Sequence, residues 1–455
     1  MDVKGKRLLV VGFGASGQAA ARLLALQGAS VLVIDEAKDE IMKRRARRKK
    51  FYGIPIQFGV GTVPIGRFDA AILSPGVHPH RGIGLDVANL DIPVYGEIEL
   101  GSWFCQCPMI AVTGTNGKTT TTELIERTIR VNRKRVLPAG NIGNPLSEAA
   151  LKSDKLDYLA VEISSFQLET IDCFRPFVSV MMNITPDHLD RYLSMEKYAA
   201  AKAAIWKNQC GNDIAIINLD TERYLAKLGF TPPVRTLRYS THGKDESTAV
   251  DLWFDGKYIR GPLLEKTGIE ASLSQTRLRG AHNAENVMAT LAVIFSLGLN
   301  LEKAWKTICD YQPLAHRLET VGILRGMEFI NDSKATNIDA MEKAIKTFTQ
   351  PVVLIAGGKD KGFDFSSIAP LIHEKVKTCI LIGEARERIF QVWKDVTSCV
   401  FADSLEEAAN IAIRIGQQGD VVLFSPGCSS YDMFKNYEER GKAFCQAVQQ
   451  LSSNQ

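Results

Sequence analysis

Short apolar runs recur along this chain, each closing on Gly, Ser, Thr, Asn, Asp or Glu and each followed by a longer stretch of helical periodicity. They fall at residues 7–11, 30–34, 69–73, 109–112, 158–161, 177–184, 327–330, 352–356, 378–382 and 421–424. A brief apolar run without alternation reads as a strand buried on both faces. Strands alternating with amphipathic helices read as parallel sheets covered by helices. Residues 233–279 break the rhythm and read as several short strands. The pattern predicts an α/β protein of three domains, 1–97, 98–312 and 313–455, each built on a mostly parallel sheet. A length of 455 residues fits that number.

Two runs end in glycine-rich turns. The first leads into Gly12-Phe13-Gly14-Ala15-Ser16-Gly17 and a helix rich in Ala and Leu, and the 30–34 run ends at Asp35. This is the dinucleotide fingerprint of a Rossmann-like unit, with an acid placed to meet a ribose hydroxyl. The same glycines would serve any diphosphate, or simply let helix and strand pack closely. The 109–112 run leads into Gly114-Thr115-Asn116-Gly117-Lys118-Thr119-Thr120. Backbone N–H groups of such a turn point at phosphate oxygens, Lys118 reaches the β/γ-phosphates, and the Thr119 hydroxyl suits Mg²⁺. Val112 stands where the usual motif has its first glycine, so Gly114 and Gly117 carry this P-loop. The motif points to a nucleoside triphosphate.

Later strand ends add candidates. Glu162 closes the 158–161 run, where a carboxylate can hold Mg²⁺ or form a salt bridge at the sheet edge. His188 lies just beyond a strand's carboxyl end, which favours a ligand role over a structural one. Lys202, on a helical stretch over 195–206, reads by itself as a solvated lysine. Asn283 and Asn286 open a long apolar helix. In the third domain, which reads as Rossmann-like, polar clusters at 331–336, 357–361 and 425–430 follow three strands. Ligands in open parallel sheets bind outside such ends, so these clusters suggest one composite site.

Charge and cysteine narrow the class. Net charge is +4, yet residues 43–50 alone hold seven Lys/Arg, and the rest of the chain is slightly acidic. That run reads as a helix surface, and nucleic acid is not an expected partner. No apolar run approaches the ~18 residues of a membrane span, and no signal-peptide pattern opens the chain. Nine scattered cysteines without a C-x-x-C pair fit reduced thiols in a cytoplasmic protein.

Taken in order, the motifs add up to a family. They are Ser74-Pro75-Gly76, the 96–100 segment Gly-Glu-Ile-Glu-Leu, the P-loop, and Glu162 with the Ile-Ser-Ser-Phe-Gln-Leu-Glu that follows it. Asp187-His188-Leu189-Asp190-Arg191-Tyr192, Gly280-x-His282-Asn283-x-x-Asn286, His316-Arg317, residues 331–337 and Ser425-Pro426-Gly427 complete the set. The chain resembles the ATP-dependent Mur ligases of bacterial peptidoglycan synthesis along its whole length. The 331–337 segment, Asn-Asp-Ser-Lys-Ala-Thr-Asn, is similar to that of the branch adding D-glutamate to UDP-N-acetylmuramoyl-L-alanine. Relatives adding other amino acids tend to carry Asp-Tyr-Ala-His or Gly-His-His types there.

The resemblance implies ATP and two Mg²⁺ as cofactors, an acyl-phosphate intermediate and a monomer in the cytoplasm. The first-domain glycines would then serve UDP. For the uridine substrate it implies Gly14, Ala15, Ser16, Asp35, Glu36, Ser74 and Asn141, with Ala37 standing where relatives often place a hydroxyl or basic residue. For ATP it implies Gly114, Thr115, Asn116, Gly117, Lys118, Thr119, Thr120, Asn283, Asn286, Arg317 and Asp332. Lys334, Thr336, Lys361 and Ser430 would bind D-glutamate, the two lysines suiting its two carboxylates. Thr119, Glu162, His188 and Lys202 would hold metal, the last as a carbamate. Lys118, His188, Lys202 and Asn141 form the expected catalytic set. Three other readings remain open at this point: a sibling ligase or folylpolyglutamate synthase, an NAD-dependent oxidoreductase resting on 12–17, and a nucleotide switch without ligase activity.

Overall fold

The structure, a computed structural model, describes residues 2–37, 50–243 and 249–453. Residues 43–49 of the basic run lie outside the described residues. Three sheets follow one another along the chain. The first joins β1 (Arg7–Val11), β2 (Ser30–Asp35), β3 (Ile56–Phe58), β4 (Ala70–Leu73) and β5 (Val94–Gly96) in the order β3-β2-β1-β4-β5. Every neighbouring pair is parallel.

The second sheet has nine strands: β6 (Met109–Thr113), β7 (Val136–Gly140), β8 (Tyr158–Glu162), β9 (Val178–Met181), β10 (Ile214–Asn218), β11 (Arg235–Ser240), β12 (Leu252–Phe254), β13 (Tyr258–Arg260) and β14 (Ala271–Ser272). Their order is β14-β13-β12-β11-β10-β9-β6-β8-β7. The last three in sequence form an antiparallel edge, the short strands expected over 233–279. The third sheet runs β15 (Glu319–Leu324), β16 (Met327–Asn331), β20 (Val421–Phe424), β17 (Val352–Gly357), β18 (Val376–Ile382) and β19 (Ser398–Phe401). Here β15 pairs antiparallel with β16 across a two-residue turn, and the other pairs are parallel.

The apolar runs form the sheet centres because both faces are covered: β6, β9, β10 and β17 are buried along their whole length. Strands at the sheet margins gave little signal. β7 contains Pro138 and Gly140. β15 contains Gly322 and is only partly buried. β3 is three residues long. Helices Lys118–Val131, Ala281–Ser296 and Leu301–Cys309 pack on one face of the second sheet around Leu124, Ile125, Val287 and Leu291. The opposite face holds a second core around Leu159, Phe174 and Trp206. Helix Glu97–Trp103 serves two cores, Leu100 entering that of the first sheet and Ile98 that of the second. No described helix is long and apolar enough to cross a membrane.

Strand order sets where ligands can bind. β1 lies between β2 and β4, and β6 between β9 and β8, so neighbouring connections leave in opposite directions at the carboxyl ends of β1 and β6. The two glycine-rich turns begin at those points.

Candidate functional site

The loop after β6 is built on two glycines. Gly114 has φ +150° and Gly117 is left-handed at φ +86°. A Cβ on Gly114 would sit 2.7 Å from the Met182 Cβ, and one on Gly117 would collide with the Asn286 side-chain oxygen. Asn183, two residues beyond the end of β9, fixes the turn from the far side. Its carbonyl accepts from the Thr115 N–H and its Oδ1 from the Asn116 N–H, both at 2.8 Å. The helix Lys118–Val131 starts at once, so its first N–H groups face the cavity above.

That cavity has a volume of about 550 Å³ and lies between the second and third sheets. Thr115, Asn116, Gly117, Lys118, Thr119, Thr120, Asn141, Glu162 and His188 line it from one side. Asn283 and Asn286 stand on helix Ala281–Ser296, and Arg317, Asp332, Lys334, Thr336 and Lys361 come from the third unit. Gly114, Lys202 and Ser430 are not in its wall. Ser430 is buried at 3% exposure behind Tyr431, which does line the cavity. Lys202 is not the solvated lysine its helix suggests. It is 1% exposed, lies 4.7 Å from the Tyr198 ring centroid, and reaches under the P-loop to donate to the Gly114 carbonyl at 2.8 Å. Lys118 folds back to the same carbonyl at 2.8 Å and to that of Thr115 at 2.8 Å.

The electrostatics follow from burial. Desolvation lowers the Lys118 pKa, with Glu162 and Asp187 pulling the other way. Lys202 falls well below the ordinary lysine range, first through burial and then through the Lys118 charge. His188 is lowered by burial against the pull of Asp187, so it is neutral at pH 7, the form that ligates metal. Burial brings Lys334 down to about 8 and raises Asp332 to about 7. Asp332 accepts from the Ser425 hydroxyl at 2.8 Å and the Leu318 N–H at 3.3 Å. Glu162 accepts from the Asn141 amide at 2.7 Å through Oε1, while its buried Oε2 has no hydrogen-bond partner among the described residues. The orphaned buried Glu162 oxygen and the Thr119 hydroxyl are hard oxygen donors that fit Mg²⁺, and the neutral His188 imidazole stands in the same cavity wall.

A second cavity of about 510 Å³ opens at the carboxyl ends of β1 and β4. Gly14, Ala15, Ser16, Asp35, Glu36 and Ser74 line it, with Asn141 and Gln167 across from them. The Asp35 carboxylate accepts from the Phe13 N–H at 2.6 Å and the Ala37 N–H at 2.7 Å, so it also closes the turn. Gly17 packs so tightly on the Gly12 carbonyl that no Cβ would fit. Pro75, Gly76 and Asn141 line both cavities, which therefore adjoin.

Several participants carry no individual signal in the sequence. Asn183 could have been noticed as a polar residue ending an apolar run beside the loop strand. Arg277, Arg279, Glu285 and Lys343 line the first cavity, the first two at the end of the stretch that reads as short strands and the others on helical stretches, where nothing singles them out. Asp187 bridges units: its carboxylate accepts from the Asn337 amide at 3.2 Å and lies 3.9 Å from Lys361 Nζ.

Comparison with known proteins agrees with this architecture. Residues 112–294 match the Mur ligase middle domain, and 316–428 match the Mur ligase glutamate ligase domain. Proteins named UDP-N-acetylmuramoylalanine–D-glutamate ligase are similar over the full length. The one from Chlorobium limicola is 40% identical, covering 99% of this chain and 100% of its own. That from Koribacter versatilis is 40% identical with 100% of both covered. Among solved structures, a UDP-N-acetylmuramate-alanine ligase from Thermotoga maritima superposes with a TM-score of 0.61 at 17% identity, covering 99% of this chain and 100% of that one. A MurF ligase from the same organism, in complex with ADP, gives 0.60 at 17% identity, covering 99% and 96%. At such identities the structures show a shared fold, whereas the full-length relatives and the two domain matches show descent. The chain belongs to the Mur ligase family.

Proposed function

We propose that this chain is an ATP-dependent ligase that joins D-glutamate to UDP-N-acetylmuramoyl-L-alanine, releasing ADP and phosphate, in the cytoplasmic synthesis of peptidoglycan precursors. The observation that carries the reading is the shared wall at Pro75, Gly76 and Asn141. A long uridine nucleotide lying in the cleft of the first unit would deliver its far end to the phosphate loop. The units 1–97, 98–312 and 313–455 would then hold UDP, ATP and the amino acid respectively, in a monomer. The full-length D-glutamate-ligase relatives support the choice of amino acid.

A carboxylate is a poor electrophile because it is already an anion. Transfer of the γ-phosphoryl group of ATP to one of its oxygens makes an acyl phosphate with a good leaving group. The amine of D-glutamate attacks the acyl carbon, the C–O bond to phosphate breaks, and the amine proton leaves to a base or water. The carboxylate must first approach the γ-phosphate. At ~4 Å and an effective dielectric of ~20, each pair of like unit charges costs about 4 kcal/mol. Lys118, freed from the Gly114 and Thr115 carbonyls, would offset this by bonding phosphate oxygens, helped by Arg317 and the helix N-terminus. Mg²⁺ held by Thr119, Glu162 and His188 would neutralise phosphate charge. Asn141, bonded to Glu162, would orient the reacting carboxylate between the cavities. Lys334, Thr336 and Lys361 would take the two carboxylates of D-glutamate, with Ser430 holding the loop behind them.

The test is phosphate release from ATP with UDP-N-acetylmuramoyl-L-alanine, comparing D-glutamate, L-glutamate and a diamino acid. Release with D-glutamate alone, with an amide product, is expected. Release with another amino acid instead would make the chain a sibling ligase. No release from folded, ATP-binding protein would return it to a nucleotide switch. In the same assay Lys118→Ala should abolish release while leaving the far-UV circular dichroism unchanged, since it removes charge stabilisation and no core contact.

A further inference from the structure

The first turn of helix Ile338–Lys346 rests on the phosphate loop of the preceding unit. Asn116 of the loop donates its side-chain amide to the Asp339 carboxylate at 2.5 Å and lies 3.4 Å from the Asn337 Oδ1. Asn337 caps the helix, its Oδ1 accepting from the Ala340 N–H at 2.9 Å, and its own amide reaches Asp187 at 3.2 Å. One helical turn of the third unit thus touches both loops that flank the phosphate and metal positions. Asp339 is the charged member of the contact. Lys343, one turn on, lies 3.0 Å from it and offsets a negative charge beside a loop meant for phosphates. The Asp339 side chain is 15% exposed and is not in the wall of the cavity, so it has no direct call on substrate.

We infer that Asp339 is a positioning residue for the ligation: through the Asn116 amide it holds the amino-acid-binding unit in register with the phosphate loop. The inference rests on the ligase reading. Lys334 and Lys361 stand on the unit that Asp339 anchors, while the phosphoryl group would sit on the unit of Asn116. An amine and an acyl carbon borne by two separate bodies react only when those bodies are held in one geometry. A charge-assisted hydrogen bond at 2.5 Å across the seam supplies such a restraint.

The experiment compares Asp339→Ala, Asp339→Asn and, on the outward face of the same helix, Lys346→Ala. Steady-state kinetics are run for all three substrates, and small-angle scattering is recorded on the nucleotide-free proteins. Asp339→Ala should lower kcat about tenfold, the scale of one charge-assisted hydrogen bond, and raise the KM for D-glutamate. The KM for the uridine nucleotide should not move, because that cleft does not touch the helix. Its radius of gyration should exceed that of the wild type. Asp339→Asn keeps an oxygen that accepts from Asn116 and should recover most of kcat and the compact radius, and Lys346→Ala should match the wild type. Unchanged kcat and radius in Asp339→Ala would overturn the inference. So would equal losses in both Asp339 variants accompanied by equal falls in melting temperature, which would mark the carboxylate as only a helix-stabilising partner of Lys343. If the wild type releases no phosphate with D-glutamate, the ligase reading fails, and the scattering comparison still decides whether Asp339 holds the two units together.

Discussion

Two lysines on one carbonyl are the least expected local arrangement in this protein. Lys118 and Lys202 both donate to the Gly114 carbonyl oxygen, each at 2.8 Å. Adjacent buried ammonium groups repel each other, and burial and this repulsion together favour the neutral amine at Lys202. A neutral amine is the form that can add CO₂, so the carbamate implied by the family has a physical opening here. Isotope-labelled bicarbonate should give a carbamate NMR signal that is absent in Lys202→Met, and that variant should fold yet lose at least 100-fold in kcat, roughly the scale of one lost electrostatic stabiliser. Lys118 was legible because its motif has fixed spacing. Lys202 stood out only through the family resemblance, because nothing in its own helix reports that this lysine points under a loop 88 residues away. Asn183 escaped for the same reason, and Asp187 was visible only as part of the 187–192 motif, its contacts with Asn337 and Lys361 lying in what another segment brings to it.

At the level of elements, helix Glu97–Trp103 shows how much a short segment can conceal. It buries two carboxylates in its first turn, Glu97 at 1% and Glu99 at 0% exposure. Glu99 is fully satisfied, accepting from the Trp103 indole at 2.7 Å and from the N–H groups of Asp172, Cys173 and Phe174 at 2.8–2.9 Å. Glu97 accepts from the Ser147 N–H at 2.6 Å through Oε1, and its buried Oε2 has no hydrogen-bond partner among the described residues. Burial therefore raises the Glu97 pKa from 4.5 to about 7 despite the Ser147 bond. The sign follows from linkage. Below pH 4.5 both folded and unfolded chains carry the proton, and nothing is lost. As the pH rises from 4.5 to 7 the unfolded chain ionises first, and stability falls by on the order of 3 kcal/mol before levelling off. Glu97→Gln should flatten that slope, so urea unfolding at pH 8 should show the variant more stable than the wild type by a margin that disappears at pH 4. The sequence marks this segment as a motif, but an isolated Gly-Glu-Ile-Glu-Leu does not say that both acids face inward.

The three-unit plan was readable from strand and helix alternation alone, because each sheet has its own apolar core and each core its own run of elements. The mostly parallel pairing was readable too. The antiparallel β15 was not, since a partly buried edge strand with a glycine lacks both the apolar run and the alternation. How the units face one another was illegible. Contacts such as Asn116 with Asp339 are single polar pairs with no periodicity. The third unit carries two buried clusters around its sheet, so a chain of residues 313–455 is expected to fold alone. It should melt in one cooperative transition by calorimetry, and it should not release phosphate from ATP, because the loop for that nucleotide belongs to its neighbour.

Cavities of about 550 and 510 Å³ lie side by side, with Pro75, Gly76 and Asn141 lining both. Two weak small molecules, one seated in each, would lie close enough for a short tether to join them. Once one end is held, the other searches only the volume its linker allows, so avidity exceeds either separate affinity without any new contact. Such a compound would bridge all three units, and its departure would require both ends to let go together. For inhibitor chemistry the two neighbouring chambers taken together are thus a more useful target than either by itself.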